Sequence, residues 1–217
     1  MKMVCISASN ILHSGERSTS HMLCAKISEI LQEKTVACEI VDLRKYRLSP
    51  CTGCGKCFDN RRCRNDADFN VIYEKIIGAD ALFIVSPHYA PIPAKLSMVL
   101  EKMEEIAFLH WWKDGGYQSE VHGTPAGIVS HGGAPEWALK SYKAMVNDTI
   151  ANALDTIQCR VVPYDSEWDT GISLPVEKVL EEESIFPIQK YDWDLLTQKL
   201  RNYIELVLEA ARQTAGR

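Results

Sequence analysis

Short apolar runs and longer stretches with apolar residues three and four apart take turns along the 217-residue chain. MKMVCISAS (Met1–Ser9) is a β-rich run, and TSHMLCAKISEILQEK (Thr19–Lys34) sets Leu23, Ile27, Ile30 and Leu31 at helical spacing. TVACEIVDL (Thr35–Leu43) predicts the next strand. A helix with Phe69, Ile72, Ile76 and Ile77 on one face leads to ALFIVSP (Ala81–Pro87), apolar throughout as a strand covered on both faces should be. Then come a helix from about Ala94 to Ile106, a strand over Thr124–Ser130, a long helix over Glu136–Ile157, a strand over Cys159–Tyr164 and a closing helix over Trp193–Arg212.

Five strands alternating with helices predict an α/β fold, a doubly wound five-stranded parallel sheet with right-handed crossovers and helices on both faces. The expected organisation is a single domain over residues 1–217, with a cysteine loop at 50–64, an aromatic insert at 107–122 and a C-terminal excursion plus helix at 165–217. Asp165 to Lys190, with its acidic run Glu181–Glu183, reads as a surface excursion. Ligands of such sheets sit beyond the carboxyl ends of the strands, so the loops after Ser7, Val85 and Val129 are the ones to search.

Composition narrows the partners. A formal net charge of -5 with dispersed Lys and Arg argues against nucleic acid, whose phosphates demand clustered cations. No apolar run reaches the ~20 residues that cross a bilayer, and Met1 opens directly into a strand-like segment, so no membrane association and a cytoplasmic location are expected. In that setting eight cysteines are not a disulfide framework. Cys5, Cys24, Cys38 and Cys159 lie in apolar surroundings and read as core. CTGCGKCFDNRRC (Cys51–Cys63) gathers the other four thiols, and Arg61, Arg62 and Arg64 beside Cys63 form either a solvated loop or a positive collar around an anionic cofactor.

Each strand-end loop carries candidate chemistry. SASNILHSGERSTS (Ser7–Ser20) matches neither G-x-G-x-x-G nor the Walker A pattern, yet hydroxyls and free amides at a helix start suit a phosphate monoester; simple N-capping by Ser18, Thr19 or Ser20 is the alternative. SPHYAPIPAKL (Ser86–Leu96) is stiffened by three prolines and offers Tyr89 as a ring for stacking. SHGGAPEW (Ser130–Trp137) pairs Gly132 and Gly133, which permit close backbone approach, with His131 as a polar handle.

In order, these segments resemble the flavodoxin-like NAD(P)H-dependent FMN reductases, most closely their iron-sulfur flavoprotein branch. The resemblance rests on the hydroxyl-bearing first loop, Asp42-Leu43, Pro50-Cys51-Thr52-Gly53-Cys54-Gly55-Lys56-Cys57 and Ser86-Pro87-His88-Tyr89. It implies an FMN site in which Ser7, Ser9, Ser18, Thr19 and Ser20 serve the phosphate. Pro87, His88, Tyr89, Ala90, Pro91 and Ile92 would line the isoalloxazine, and Ser130, His131, Gly132 and Gly133 would close its other edge. The first loop is longer than the family's usual Ser-Pro-Arg with Gly-Asn-Thr, and Glu101-Lys102 stands where the family has Asp-Arg.

The residues alone leave the cysteine loop open to a 4Fe-4S cluster, a cluster-free thiol loop or zinc. The resemblance favours Cys51, Cys54, Cys57 and Cys63 as ligands of a 4Fe-4S centre. The expected function is an FMN-dependent oxidoreductase passing electrons between FMN and the cluster, or an NAD(P)H-dependent reductase of a small acceptor, with Tyr89 and His131 contacting substrate. The alternatives are an electron-carrier flavoprotein and a zinc-stabilised binding module. Expected partners are a small-molecule electron donor or acceptor and a ferredoxin-like redox protein. Trp111 and Trp112 further predict a homodimer or homotetramer that buries them.

Overall fold

The computed structural model describes residues 1–12, 17–89, 91–180 and 188–215. At its centre lie β1 (Lys2–Ser7), β2 (Ala37–Asp42), β3 (Ala81–Pro87), β4 (Pro125–His131) and β5 (Arg160–Val161), all parallel and ordered β2-β1-β3-β4-β5. The winding reverses between β1 and β3, so a crevice opens beyond their carboxyl ends. This is the flavodoxin-like, doubly wound sheet that the pattern of the chain predicts.

Two apolar layers cover it. Val4, Ile6, Leu82, Ile84, Ala126 and Ile128 face α2 (Ala67–Ile77), α3 (Ala94–Lys113) and α5 (Asp148–Thr156); Met3, Cys5, Phe83, Val85 and Val129 face α1 (Thr19–Glu33) and α6 (Trp193–Ala215). Between β4 and α5 run α4 (Leu139–Tyr142) and a π turn, Lys143–Asn147. Because strand side chains alternate between faces, the same register carries Ser7, Asp42 and His131 at the strand ends toward α1, and Ser86 and Ser130 toward the opposite layer. The sheet register therefore chooses the site residues before any loop is placed.

Expectations in three regions are corrected. The fifth strand is split: β5 is only two residues long, and the carboxyl half of β4 pairs instead with β6 (Ile172–Leu174). Tyr203 of α6 closes the gap, its hydroxyl accepting from Ile128 N at 3.1 Å and donating to Val162 O at 2.7 Å. Gly171 reaches β6 at φ +103, where a Cβ would lie 2.3 Å from Ile128 O, so only glycine lets the chain re-enter there. Residues 165–190 are thus no mere surface excursion: Ile172, Ser173 and Leu174 are fully buried, and β7 (Lys178–Leu180) and β8 (Ile188–Lys190) form an antiparallel hairpin. The acidic run Glu181–Glu183 lies outside the described residues.

The predicted helix over Glu136–Ile157 is interrupted by the π turn, which lets buried Asn147 donate to Thr170 O and Ile172 O and so tether β6. The third correction concerns the aromatic insert. Its first half continues α3 to Lys113, and His110 stacks on Phe58 and Tyr117, both with centroids 4.9 Å away.

Candidate functional site

At the amino end of α1 a polar row crosses the sheet. Ser18 caps the helix by accepting from His21 N at 3.3 Å, and Ser9 accepts from Ile11 N at 3.2 Å. Ser20 Oγ and His131 Nε2 are 2.7 Å apart, and the Tyr191 hydroxyl donates to Gln189 Oε1 at 2.6 Å. Burial pushes the His131 imidazole down to about 3, so it is neutral at ordinary pH. Ser7 Oγ, His21 Nδ1 and His131 Nδ1 are buried without a hydrogen-bond partner in the protein. Orphaned polar atoms beside a helix amino terminus fit a ligand that brings an anion and further hydrogen-bonding groups, as an FMN phosphate would.

The loop after β3 forms the second wall. His88 N donates to His131 O at 2.9 Å, joining the β3 and β4 ends, and Tyr89 N donates to Pro91 O at 2.8 Å. Tyr89 is 53% exposed, while Ile92 is buried. Pro87 is half-buried and Pro91 exposed; Ala90 lies outside the described residues. Asn10, Tyr89, Ile92, Met98, Glu101 and Pro50 line an open cleft of about 650 Å³. The loop after β3 and α3 therefore form its walls, and Pro50 brings the edge of the cysteine loop to it.

The loop after β4 departs from expectation. The Ser130 hydroxyl is 2.6 Å from that of Ser173, so it braces β6 instead of facing a ring. Gly132 does make room for a close neighbour, but that neighbour is Tyr142, whose ring atoms would lie 2.5 Å from a Cβ there. Gly133 sits against Gln189, 3.3 Å from a would-be Cβ. His131 is only 5% exposed, so it positions Ser20 and the loop and does not present a substrate-facing surface.

Cys51, Cys54, Cys57 and Cys63 line one cavity of about 130 Å³, together with Arg64, Lys102 and Glu105. Gly53 and Gly55, at φ +59 and +66, turn the chain between the thiols. Gly53 N donates to Cys51 Sγ at 3.4 Å and Asn65 Nδ2 to Cys54 Sγ at 3.7 Å. Burial, opposed by its own amide and reinforced by Glu105, Cys51 and Cys63, pushes the Cys57 thiol up to about 11; exposed Cys54 is lowered, chiefly by the Lys56 amide. Among the described residues no group of three or more His, Cys, Asp or Glu side chains is arranged to hold a single metal ion. Four thiols line one hollow, and a backbone amide and a side-chain amide are directed at two of the sulfurs, a donor set that thiolate ligation of a metal centre would use.

The arginine collar does not form as a unit. Arg62 pairs with Glu74 and Glu120 and lies over Tyr73, Arg61 lies over Tyr117, and only Arg64 lines the cysteine cavity. Sequence reasoning missed the side chains that hang this loop on the fold. Glu101 accepts from Cys51 N at 3.0 Å, and Lys102 pairs with Asp66 at 3.0 Å. The Glu101-Lys102 departure was their one visible signal, and Lys102 does form an ion pair, with Asp66.

Comparison with known proteins agrees with this geometry. The family model for NADPH-dependent FMN reductase matches residues 1–162. An iron-sulfur flavoprotein of Methanosarcina thermophila is 31% identical over 75 residues, which span 34% of this chain and 39% of that protein. One of Methanocaldococcus jannaschii is 24% identical over 143 residues, 64% of this chain and 68% of that protein. Among solved structures, RosB with bound 8-demethyl-8-formylriboflavin 5'-phosphate superposes with a TM-score of 0.68 at 15% identity, covering 100% of this chain and 81% of that one. Oxidised flavodoxin 1 from Bacillus cereus gives 0.51 at 12% identity, over 96% and 98%. At these identities the structural matches establish the fold alone, while the match over residues 1–162 establishes more: the chain belongs to the NADPH-dependent FMN reductase family.

Proposed function

We propose that the protein is an FMN-dependent oxidoreductase that pairs the flavin with a 4Fe-4S centre held by Cys51, Cys54, Cys57 and Cys63. The observation that carries this reading is the shared wall: Pro50 and Glu101 border the cleft beside Tyr89, while Glu101 holds the amide of Cys51. FMN takes up electrons as a pair and releases them singly, and a neighbouring one-electron centre makes that property useful.

The chain's own part is placement. Ser9, Ser18, Thr19 and Ser20 with the first amides of α1 would receive the phosphate, Ser7 supplies an unpartnered hydroxyl, and neutral His131 holds Ser20 without adding charge. Pro87 to Ile92 would flank the ring, and exposed Tyr89 is the residue best placed to meet a flat donor or acceptor. NAD(P)H as reductant and a quinone, nitro or azo compound as acceptor suit such an open cleft.

The test is anaerobic purification followed by flavin, iron and sulfide analysis, with FMN and riboflavin compared by titration. FMN should bind more tightly than riboflavin and iron should accompany sulfide. Equal flavin affinities would remove the phosphate assignment, and stoichiometric zinc without iron would replace the cluster with a binding module. The exposure of Tyr89 also favours a second reading, an electron carrier without small-molecule turnover, which would bind FMN yet oxidise no NAD(P)H. Phe108 and Trp111, each 50% exposed, and Trp112, 72% exposed, support the expected homodimer or homotetramer, which light scattering checks.

A further inference from the structure

We propose that Lys102 is a positioning residue for the four-cysteine group, closing the neck of its loop and setting a fixed positive charge against it. The inference rests on the cluster reading above. Lys102 is only 2% exposed although it is a lysine in the middle of α3. Its ammonium reaches Asp66 Oδ2 at 3.0 Å, donates to Ser49 O, lies 5.5 Å from the centre of the Phe69 ring and lines the cysteine cavity. A buried ammonium is tolerated only where its charge is matched and its donors are used.

The partners of Lys102 are the two ends of the loop. Ser49 immediately precedes Pro50 and Cys51, and Asp66 follows Cys63 by three residues. Asp66 Oδ2 also accepts from Ser49 N at 2.9 Å and Ser49 Oγ at 3.1 Å, while Oδ1 caps α2 through Phe69 N at 2.8 Å. Lys102 therefore ties entry to exit, and neighbouring Glu101 fixes the next amide, that of Cys51. Nothing comparable is needed for a loop that only connects β2 to α2. Four thiolates carrying a cluster would form an anionic group, and the Lys102 ammonium would offset that charge as far as its pairing with Asp66 allows.

The experiment uses the full chain, reconstituted anaerobically with iron and sulfide, as wild type, Lys102→Arg, Lys102→Met and Lys102→Met/Asp66→Asn. The double variant keeps the neck neutral should the lone Lys102→Met fail to fold with Asp66 unmatched. Readouts are iron, sulfide and FMN per chain, the midpoint potential of the cluster, and tryptic cleavage at Arg61 to Arg64. Lys102→Arg should keep wild-type iron and potential. In the double variant, which removes one charge of each sign, tryptic cleavage should quicken and iron should be lost more readily while FMN stays bound; in iron-loaded Lys102→Met, which leaves Asp66 unmatched, the one-electron equilibrium should move at least tenfold toward the oxidised cluster, about 59 mV. Loss of iron from the double variant with FMN retained supports the same role. Iron-loaded Lys102→Met/Asp66→Asn protein with wild-type iron retention and wild-type tryptic resistance overturns the inference alone. A wild type that takes up neither iron nor sulfide overturns the cluster reading, and this inference with it.

Discussion

The amino end of α1 and the cysteine loop are held by different physics. At α1, the residues come from consecutive strand ends and the first turn of a helix: Ser7 pairs across the sheet with Asp42, and His131 with Pro87, in registers that continue through the buried core. There Ser7 and neutral His131 each keep a buried polar atom without a hydrogen-bond partner in the protein, while Asp42 is paired with Arg44. The loop from Cys51 to Cys63 has no strand in it and is fastened at its neck by side chains: the buried Lys102–Asp66 pair, Asp66 on Ser49, Glu101 on the amide of Cys51 and Asn70 on the backbone of Cys63. A site set by register inherits the stability of the sheet, whereas a site hung from side chains depends on each of them.

The sharpest way to break the contrast is to remove one thiolate. Changing any of Cys51, Cys54, Cys57 or Cys63 to Ala should abolish most of the iron and sulfide while FMN stays bound, since neither methyl nor backbone replaces a sulfur ligand. Flavin lost in parallel with iron would mean that the two regions form one site. The neck is the next target. Asp66→Ala uncovers the buried ammonium of Lys102 and removes the cap of α2, so a loss of about 3–5 kcal/mol is expected by urea denaturation. A loss below about 1 kcal/mol would show that the neck is not buried in solution.

At the sheet-held end the expected effects depend on pH and are smaller near neutrality. Burial holds His131 neutral down to about 3, whereas unfolded histidine takes a proton near 6.5, so below that value the unfolded state binds the extra proton. Stability should therefore fall as pH drops from 6.5 toward 3, by at most about 1.4 kcal/mol per pH unit from this residue. His131→Gln should flatten that part of the profile, and an identical slope in the variant would place the acid sensitivity elsewhere. The mildest change is Ser18→Ala, which removes the side-chain acceptor of His21 N and should cost about 1 kcal/mol. FMN affinity should weaken more than the affinity for riboflavin; equal weakening would make Ser18 a cap only.

Short-range signals were the ones legible in the chain. The cysteine spacing and its glycines lie within thirteen residues, and the Ser86-Pro87-His88-Tyr89 run is contiguous with a strand whose bounds, Ala81–Pro87, were read correctly. His131 was found for its place at a strand end, but its partner Ser20 is 111 positions away, and that contact turns it inward. Ser130 looks equally available in one dimension. Strand alternation aims it at Ser173 on a strand that periodicity did not reveal, because three residues are too few to show a period.

By itself the sequence determined the alternation of strands and helices, since apolar period is a local property, and with it the parallel sheet and the three strand ends at which chemistry could gather. It also determined that four thiols share one short loop. Only the tertiary structure decided which way each strand-end side chain faces, because a one-residue change of register would reverse every one of them. It alone decided that Tyr203 seals a split edge strand, that Tyr142 occupies the space left by Gly132, and that Lys102 meets Asp66 across the neck of the cysteine loop. Each of these joins residues ten or more positions apart, and no local pattern encodes a contact whose partners become neighbours only when both apolar layers have closed on the sheet.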